Sequence, residues 1–187
     1  MNAFLNEDFR QAVRDRLHYP FPQKIYESDV EWNSVIYLLD THPGKKDLKS
    51  NVEKLNFNLL GLEGRGSAPR VSRTIVADLR VAFPKNKITS QFFGGLTKLS
   101  RSFEIHKDKM DVLYYQAIGN VEFSIWDSKV DAPNIERKVA KVRYKKIMKP
   151  GEMCWIPRGT YHRIIPLESR VAISFGVEEE PDPSTYA

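Results

Sequence analysis

The sequence of 187 residues contains a single cysteine, Cys154. One cysteine cannot close an internal disulfide, which excludes the disulfide-framed class of small secreted folds and fits a reducing compartment. A cytoplasmic location is therefore the expectation. No apolar run approaches the ~18 residues of a membrane-spanning helix. The opening stretch MNAFLNEDFRQAVRDRL carries acids and arginines where a secretory signal needs an apolar core. No membrane partner is expected. Internal repeats and low-complexity tracts are missing as well, which argues against a solenoid. Glycines number only 10, and those in EGRGSAPR (63–70) do not have the spacing of a phosphate cradle. Charge is not strongly one-sided: the formal net charge is +5. Much of the excess lies in RKVAKVRYKKIMK, Arg137 to Lys149. No nucleic-acid motif accompanies that run, so it reads as a solvated strand or hairpin arm, and nucleic acid is not an expected partner.

What is present is ordinary globular composition, 41% hydrophobic and 28% charged, in a length that suits one domain with a real core. The first sixty residues read as helical. In DFRQAVRDRL, Phe9, Val13 and Leu17 fall four apart on one helical face. SDVEWNSVIYLLD sets Ser28 three residues ahead of Glu31, a capping-box pattern before an apolar run that HPG at 42–44 stops. DLKSNVEKLNFNLLG reads as a further helix ending near Gly61. From about residue 71 the pattern shifts to short strands: ITSQFFGG, SRSFEIH, DVLYYQAIG, NVEFSIWD, KVAKVRYKKIM, MCWIP, YHRIIPL and SRVAISFGV. Gly119-Asn120 is a two-residue hairpin signal. The expected fold class is mainly β, a sandwich or small barrel, with N-terminal helices. EEEPDPSTYA reads as a loose acidic tail.

Of the four histidines, His18 and His42 stand beside or near prolines in connecting segments and read as structural or surface residues. His106 and Asp108 are two apart, and on a strand such residues point to one face. His162 must join them from another strand. Two histidines and one carboxylate can cap one face of an octahedral metal and leave the opposite face open, as in the facial triad of non-haem Fe(II) oxygenases. A His-x-Asp pair taken alone is also read as a hydrogen-bonded strand-end histidine and a turn acid.

The stretch GEMCWIPRGTYH sets Gly151, Pro157, Gly159 and His162 in the spacing of the second motif of the cupin superfamily. His106, Asp108, Asp111 and Gly119 resemble the first motif. Asp108 in place of a second histidine is the habit of the JmjC-like Fe(II)/2-oxoglutarate-dependent oxygenase branch, which the chain resembles over roughly residues 88–178. The resemblance implies a double-stranded β-helix (jelly roll) with a metal in its mouth, held by His106, Asp108 and His162. Its implied organisation is an N-terminal helical segment (1–70) packing on a cupin core (71–178), followed by a tail (179–187), in a single domain overall. It implies Fe(II), or another divalent metal in its place, with 2-oxoglutarate as co-substrate. The implied reaction is hydroxylation of a small molecule or a protein side chain, coupled to decarboxylation to succinate. Pairing into a homodimer through the N-terminal segment is a habit of many cupins.

Two positions depart from the family pattern. Val121 stands where many JmjC-like hydroxylases have a cation for the distal carboxylate of 2-oxoglutarate, and Phe103 stands where a hydroxyl is common. Arg170 is a substitute, since other oxygenases of this fold use an arginine on the last strand soon after the distal histidine. Alternation in SRVAISFGV gives Arg170 one face with the small residues Ala172, Ser174 and Gly176. The other reading of Arg170 is an edge-strand residue paired to Glu168 or to water. Lys98 and one of Tyr114 and Tyr115, with Tyr114 chosen, are further candidates for the co-substrate contact. Cys154 reads as a buried small hydrophobe rather than a nucleophile, and Arg158 and Arg163 as either anion contacts at the mouth or solvated residues. Three classes stay open: a 2-oxoglutarate-dependent hydroxylase, a metal-dependent cupin of other chemistry such as a dioxygenase or isomerase, and a non-catalytic metal- or ligand-binding cupin.

Overall fold

The structure is a computed structural model that describes residues 2–41, 48–51, 55–100, 103–126 and 141–179, with the backbone alone for 48–51. His42, the HPG stop, the start of the basic run and the tail beyond residue 179 lie outside these residues. A 3₁₀ turn at Ala3–Leu5 leads into α1 (Glu7–Arg14), whose first turn is capped by the Asn6 side chain accepting from Asp8 N and Phe9 N. Then follow β1 (Tyr19–Pro20), α2 (Trp32–Thr41), β2 (Leu48–Asn51), β3 (Asn56–Leu60) and α3 (Arg70–Ala82). The remaining strands are β4 (Asn86–Gly95), β5 (Asp111–Ile118), β6 (Val121–Trp126), β7 (Val142–Met148), β8 (Met153–Ile156), β9 (His162–Pro166) and β10 (Arg170–Glu179).

The strands form a seven-stranded sheet, in the order β1-β8-β5-β10-β4-β3-β2, and a three-stranded sheet, β7-β6-β9. This is a double-stranded β-helix with two cores, because β10 and β5 alternate between two apolar surroundings. Val171, Ile173, Phe175 and Val177 face outward onto the helices, in a core with Leu113, Tyr115 and Trp155. Ala172 and Tyr114 face inward, packing between the sheets with Val121, Phe123, Ile125, Met148 and Ile156. The helices cover the outer face of the large sheet. Val71, Ile75, Val76 and Leu79 of α3 are buried there, and Phe9 and Phe83 pack on the Trp155 ring.

Several sequence expectations are corrected. The helix expected through DLKSNVEKLNFNLLG is a pair of strands, β2 and β3, extending the large sheet. NFNLL buries Phe57 and Leu59 and half-buries Asn56, Asn58 and Leu60, which is a period of two. The shift to strands expected at residue 71 is not a boundary: β1, β2 and β3 precede it, and residues 70–82 are α3. Its cap is supplied from afar: the Asp29 carboxylate accepts from Arg70 N at 2.7 Å and Val71 N at 2.9 Å. Ser28 is not the cap of α2, which begins at Trp32; its hydroxyl accepts from Val30 N. Leu17 lies beyond the end of α1, where Arg16 takes φ 55°, and is exposed. SRSFEIH forms no strand among the described residues. His106 instead makes an isolated bridge to His162.

The β5–β6 hairpin turns at Gly119, φ 73°. A Cβ there would lie 2.2 Å from the Ser169 carbonyl oxygen, directly before Arg170. Backbone cannot yield as a side chain does, and the left-handed conformation adds its own strain. Gly119→Ala is expected to cost about 2 kcal/mol or more in denaturant unfolding. A loss below half of that would show that the Ser169 backbone moves freely.

Candidate metal centre and cavity

His106 and His162 sit on facing segments joined by two reciprocal backbone bonds: His106 N donates to His162 O at 3.1 Å and His162 N donates to His106 O at 2.9 Å. Asp108 is drawn in by the turn after β8, since Gly159 N donates to Asp108 O at 2.9 Å. That turn is held again by Asp111, whose carboxylate accepts from Arg158 N at 2.7 Å. Gly159 has φ 79°, with nothing within 4 Å of its would-be Cβ, so the backbone angle alone calls for glycine there. The break in GEMCWIPRGTYH thus carries His162 back beside His106 and Asp108.

The ligand atoms of the three residues lie within 4.8 Å of one another. The Asp108 carboxylate stands 3.5 Å from His162 Nε2 and 4.0 Å from His106 Nε2. The other ring nitrogens are committed: His106 Nδ1 meets Glu104 O at 2.9 Å, and His162 Nδ1 meets Thr160 O at 3.0 Å. A carbonyl only accepts, so each Nδ1 carries a proton, and it is each Nε2 that faces the centre. Burial, then the neighbouring His106, hold His162 below the usual histidine range, while Asp108 and the Thr160 carbonyl pull the other way. A neutral imidazole is the form a metal takes. Two nitrogens and one carboxylate oxygen, with tautomers set from outside, fit a divalent metal with one face open.

The centre lies on a cavity of about 510 Å³ between the sheets, lined also by Phe103, Tyr114, Arg170 and Ser174. Arg170 is 2% exposed, and its Nη1 approaches Phe93 O at 3.5 Å. Burial lowers its pKa, and the neighbouring Tyr114 opposes that shift. Glu168 turns to Asn120 N at the hairpin. Tyr114 lines the cavity, whereas Tyr115 packs in the core under the helices. Lys98 is not brought to this place: β4 ends at Gly95, and Lys98 is exposed on the following turn, outside the cavity lining. Val121 is fully buried between the sheets. Phe103 packs its ring on His106 at 5.0 Å.

Cys154 is buried, and desolvation drives its thiol far above the ordinary range, so it is an inert filler. Arg158 pairs with Glu179, and Arg163 lies over the Trp126 ring, both away from the cavity. The residues that the sequence did not single out for the cavity include Asn58 and Gln91, joined by a bond of 3.4 Å, and Lys107 and Lys109 flanking Asp108. The alternation in NFNLL was the available signal for Asn58.

The architecture and donor set define a metal-binding double-stranded β-helix. The JmjC domain family model matches residues 82–183, more than half of the sequence, and the chain belongs to that family. Among solved structures it is similar to the ribosomal oxygenase YcfD of Escherichia coli, at 12% identity and TM-score 0.62 over 95% of this chain and 52% of that one. YcfD in complex with cobalt and 2-oxoglutarate aligns at 15% identity and TM-score 0.55, covering 70% of this chain and 33% of that one. The chain thus spans between a third and about half of the YcfD chains. No curated protein sequence matches it. Among the described residues no helix is long and apolar enough to cross a membrane.

Proposed function

We propose that the chain is an Fe(II)- and 2-oxoglutarate-dependent hydroxylase, working as a single domain. The observation that carries this reading is the pairing of the centre with a buried cation in one cavity: His106, Asp108 and His162 at the mouth, Arg170 within. Membership of the JmjC domain family and likeness to an oxygenase solved with cobalt and 2-oxoglutarate support it. The metal, when bound, supplies the redox chemistry by which 2-oxoglutarate and O2 give succinate, CO2 and a hydroxylated substrate. The protein's part is binding and orientation. Asp108 brings the one carboxylate among the three ligands, beside two imidazole nitrogens. Arg170 is the group for the distal carboxylate of the co-substrate, in place of the cation that Val121 does not provide. Apolar walls from Val112, Ile156 and Ile164 keep water from the space between. The substrate is a protein side chain or small molecule that enters past Phe103, Lys107 and Lys109; the name of the E. coli neighbour, a ribosomal oxygenase, favours protein.

The test is succinate formation by iron-loaded protein from 2-oxoglutarate without added substrate. Slow uncoupled turnover, lost in His162→Ala, is expected. A second reading, a metal-dependent cupin that does not use 2-oxoglutarate, is favoured by Val121. Iron-loaded protein that neither binds 2-oxoglutarate nor forms succinate would establish it instead.

A further inference from the structure

Gln116 is fully buried on β5, next to a bulge. Ala172 of β10 pairs with Gln116 and Val171 pairs with Ile118, which leaves Ala117 as the extra residue. Past the bulge the Gln116 amide turns back on its own chain: Nε2 donates to Ile118 O at 2.7 Å and to Gly119 O at 2.8 Å. Its backbone ties to the second motif, with Gln116 N donating to Glu152 O at 3.0 Å and Gly151 N donating to Gln116 O at 2.8 Å. One residue therefore joins the hairpin that precedes β6 to the glycine that precedes β8.

The polarity of these bonds runs one way. Carbonyl oxygens only accept, so both amide protons of Gln116 are committed and its Oε1 is an acceptor. The Tyr114 hydroxyl has one proton, and that proton goes to Gln116 Oε1. The phenol has only lone pairs left for its other neighbours. Arg170 is buried and lines the same cavity as Tyr114. A guanidinium only donates, so the two groups are complementary. A carboxylate only accepts. Placed against Tyr114 it would meet an oxygen whose proton is spent, and taking that proton would leave the Gln116 oxygen buried without a partner.

We infer that Gln116 is a positioning residue that turns the Tyr114 hydroxyl away from the cavity, so that Tyr114 aims the Arg170 guanidinium and makes no bond of its own to the co-substrate carboxylate. The identity of that carboxylate rests on the 2-oxoglutarate reading above; the direction of the proton does not. Tyr114 is thereby reassigned from a ligand contact to a support for one.

Two measurements on the full chain test this. In proton NMR of the wild type without co-substrate, the Tyr114 hydroxyl should give a slowly exchanging resonance, identified by its loss in Tyr114→Phe, with a cross-peak to the Gln116 amide protons. Gln116→Met should remove its protection. A hydroxyl proton that exchanges freely with water in the wild type overturns the inference. In calorimetric titration of manganese-loaded protein with 2-oxoglutarate, Tyr114→Phe should weaken binding several-fold, but add nothing in an Arg170→Met background, because its effect passes through the guanidinium. Equal losses in both backgrounds would mean that Tyr114 bonds the carboxylate directly, which also overturns it. Manganese-loaded wild type that binds no 2-oxoglutarate would instead sink the proposed function and leave the NMR result to decide the role of Gln116.

Discussion

Asp108→Ala is expected to leave the protein folded and unable to hold its metal. The carboxylate supplies the charged donor of the set, 3.5 and 4.0 Å from the two imidazole nitrogens. Substituting a residue that merely supports a ligand costs roughly 10–100-fold in metal affinity, so losing the anionic ligand itself should cost more. The fold has little stake in this side chain, which is 34% exposed. What Asp108 gives the fold is its carbonyl, which accepts from Gly159 N, and alanine keeps that bond. Metal analysis after anaerobic purification should therefore show an empty variant whose unfolding midpoint matches that of the metal-free wild type. His106→Ala should behave alike in metal content, with a small loss of stability from the ring packed against Phe103. Iron retained by Asp108→Ala at the wild-type level would show that the metal sits elsewhere.

The set His106, Asp108 and His162 is legible through spacing joined to the resemblance to both cupin motifs, since the His-x-Asp pair alone leaves a structural reading open. His-x-Asp and Pro-x-Gly-x-x-His are local patterns, and the turn between Pro157 and His162 is built from residues that cannot well do anything else. The face shared by Arg170, Ala172 and Ser174 was legible for a similar reason: alternation along one strand is a property of the backbone. What was hidden depended on distant partners. The start of α3 has Pro69 at its boundary and no capping side chain of its own; the cap is Asp29, which the chain brings from 41 residues away. Ser28 and Glu31 have the spacing of a capping box for α2, but that helix begins only at Trp32. β3 was hidden by its neighbours, since good helix formers precede NFNLL while its two-residue alternation is short. Lys98 lies outside the cavity lining, because charge and sequence proximity say nothing of where a turn points. The role of Gln116 depends on hydrogen-bond direction beside a bulge that no pattern announces.

Arg170→Met is expected to separate stability from ligand binding. A guanidinium at 2% exposure has been taken out of water at a cost of several kcal/mol that its surroundings must offset. Burial lowers its pKa, the sign of that cost, and the Tyr114 hydroxyl opposes it. Met keeps the apolar stem and removes that cost along with the contacts that offset it, so the two oppose one another and the variant's unfolding midpoint without ligand should change little. Its metal content should also hold, because His106, Asp108 and His162 supply the ligand atoms and all three remain. Co-substrate binding should suffer. A hydrogen bond to a charged group contributes about 1.5–3 kcal/mol, which corresponds to a rise of roughly 10–100-fold in the dissociation constant for 2-oxoglutarate. The rest of the cavity would still hold the other end of the molecule, so weak binding should persist at high concentration, and turnover there should recover more fully than affinity. The stabilisation that 2-oxoglutarate gives the wild type on heating should shrink in step, since ligand stabilisation follows the ratio of concentration to dissociation constant. An unchanged dissociation constant in Arg170→Met would remove Arg170 from the co-substrate site and return the missing cation at Val121 to being a real vacancy in the family's pattern. A weakened one, with metal and midpoint intact, would show that this chain holds the distal carboxylate from its last strand, and that it keeps a costly buried cation for that purpose.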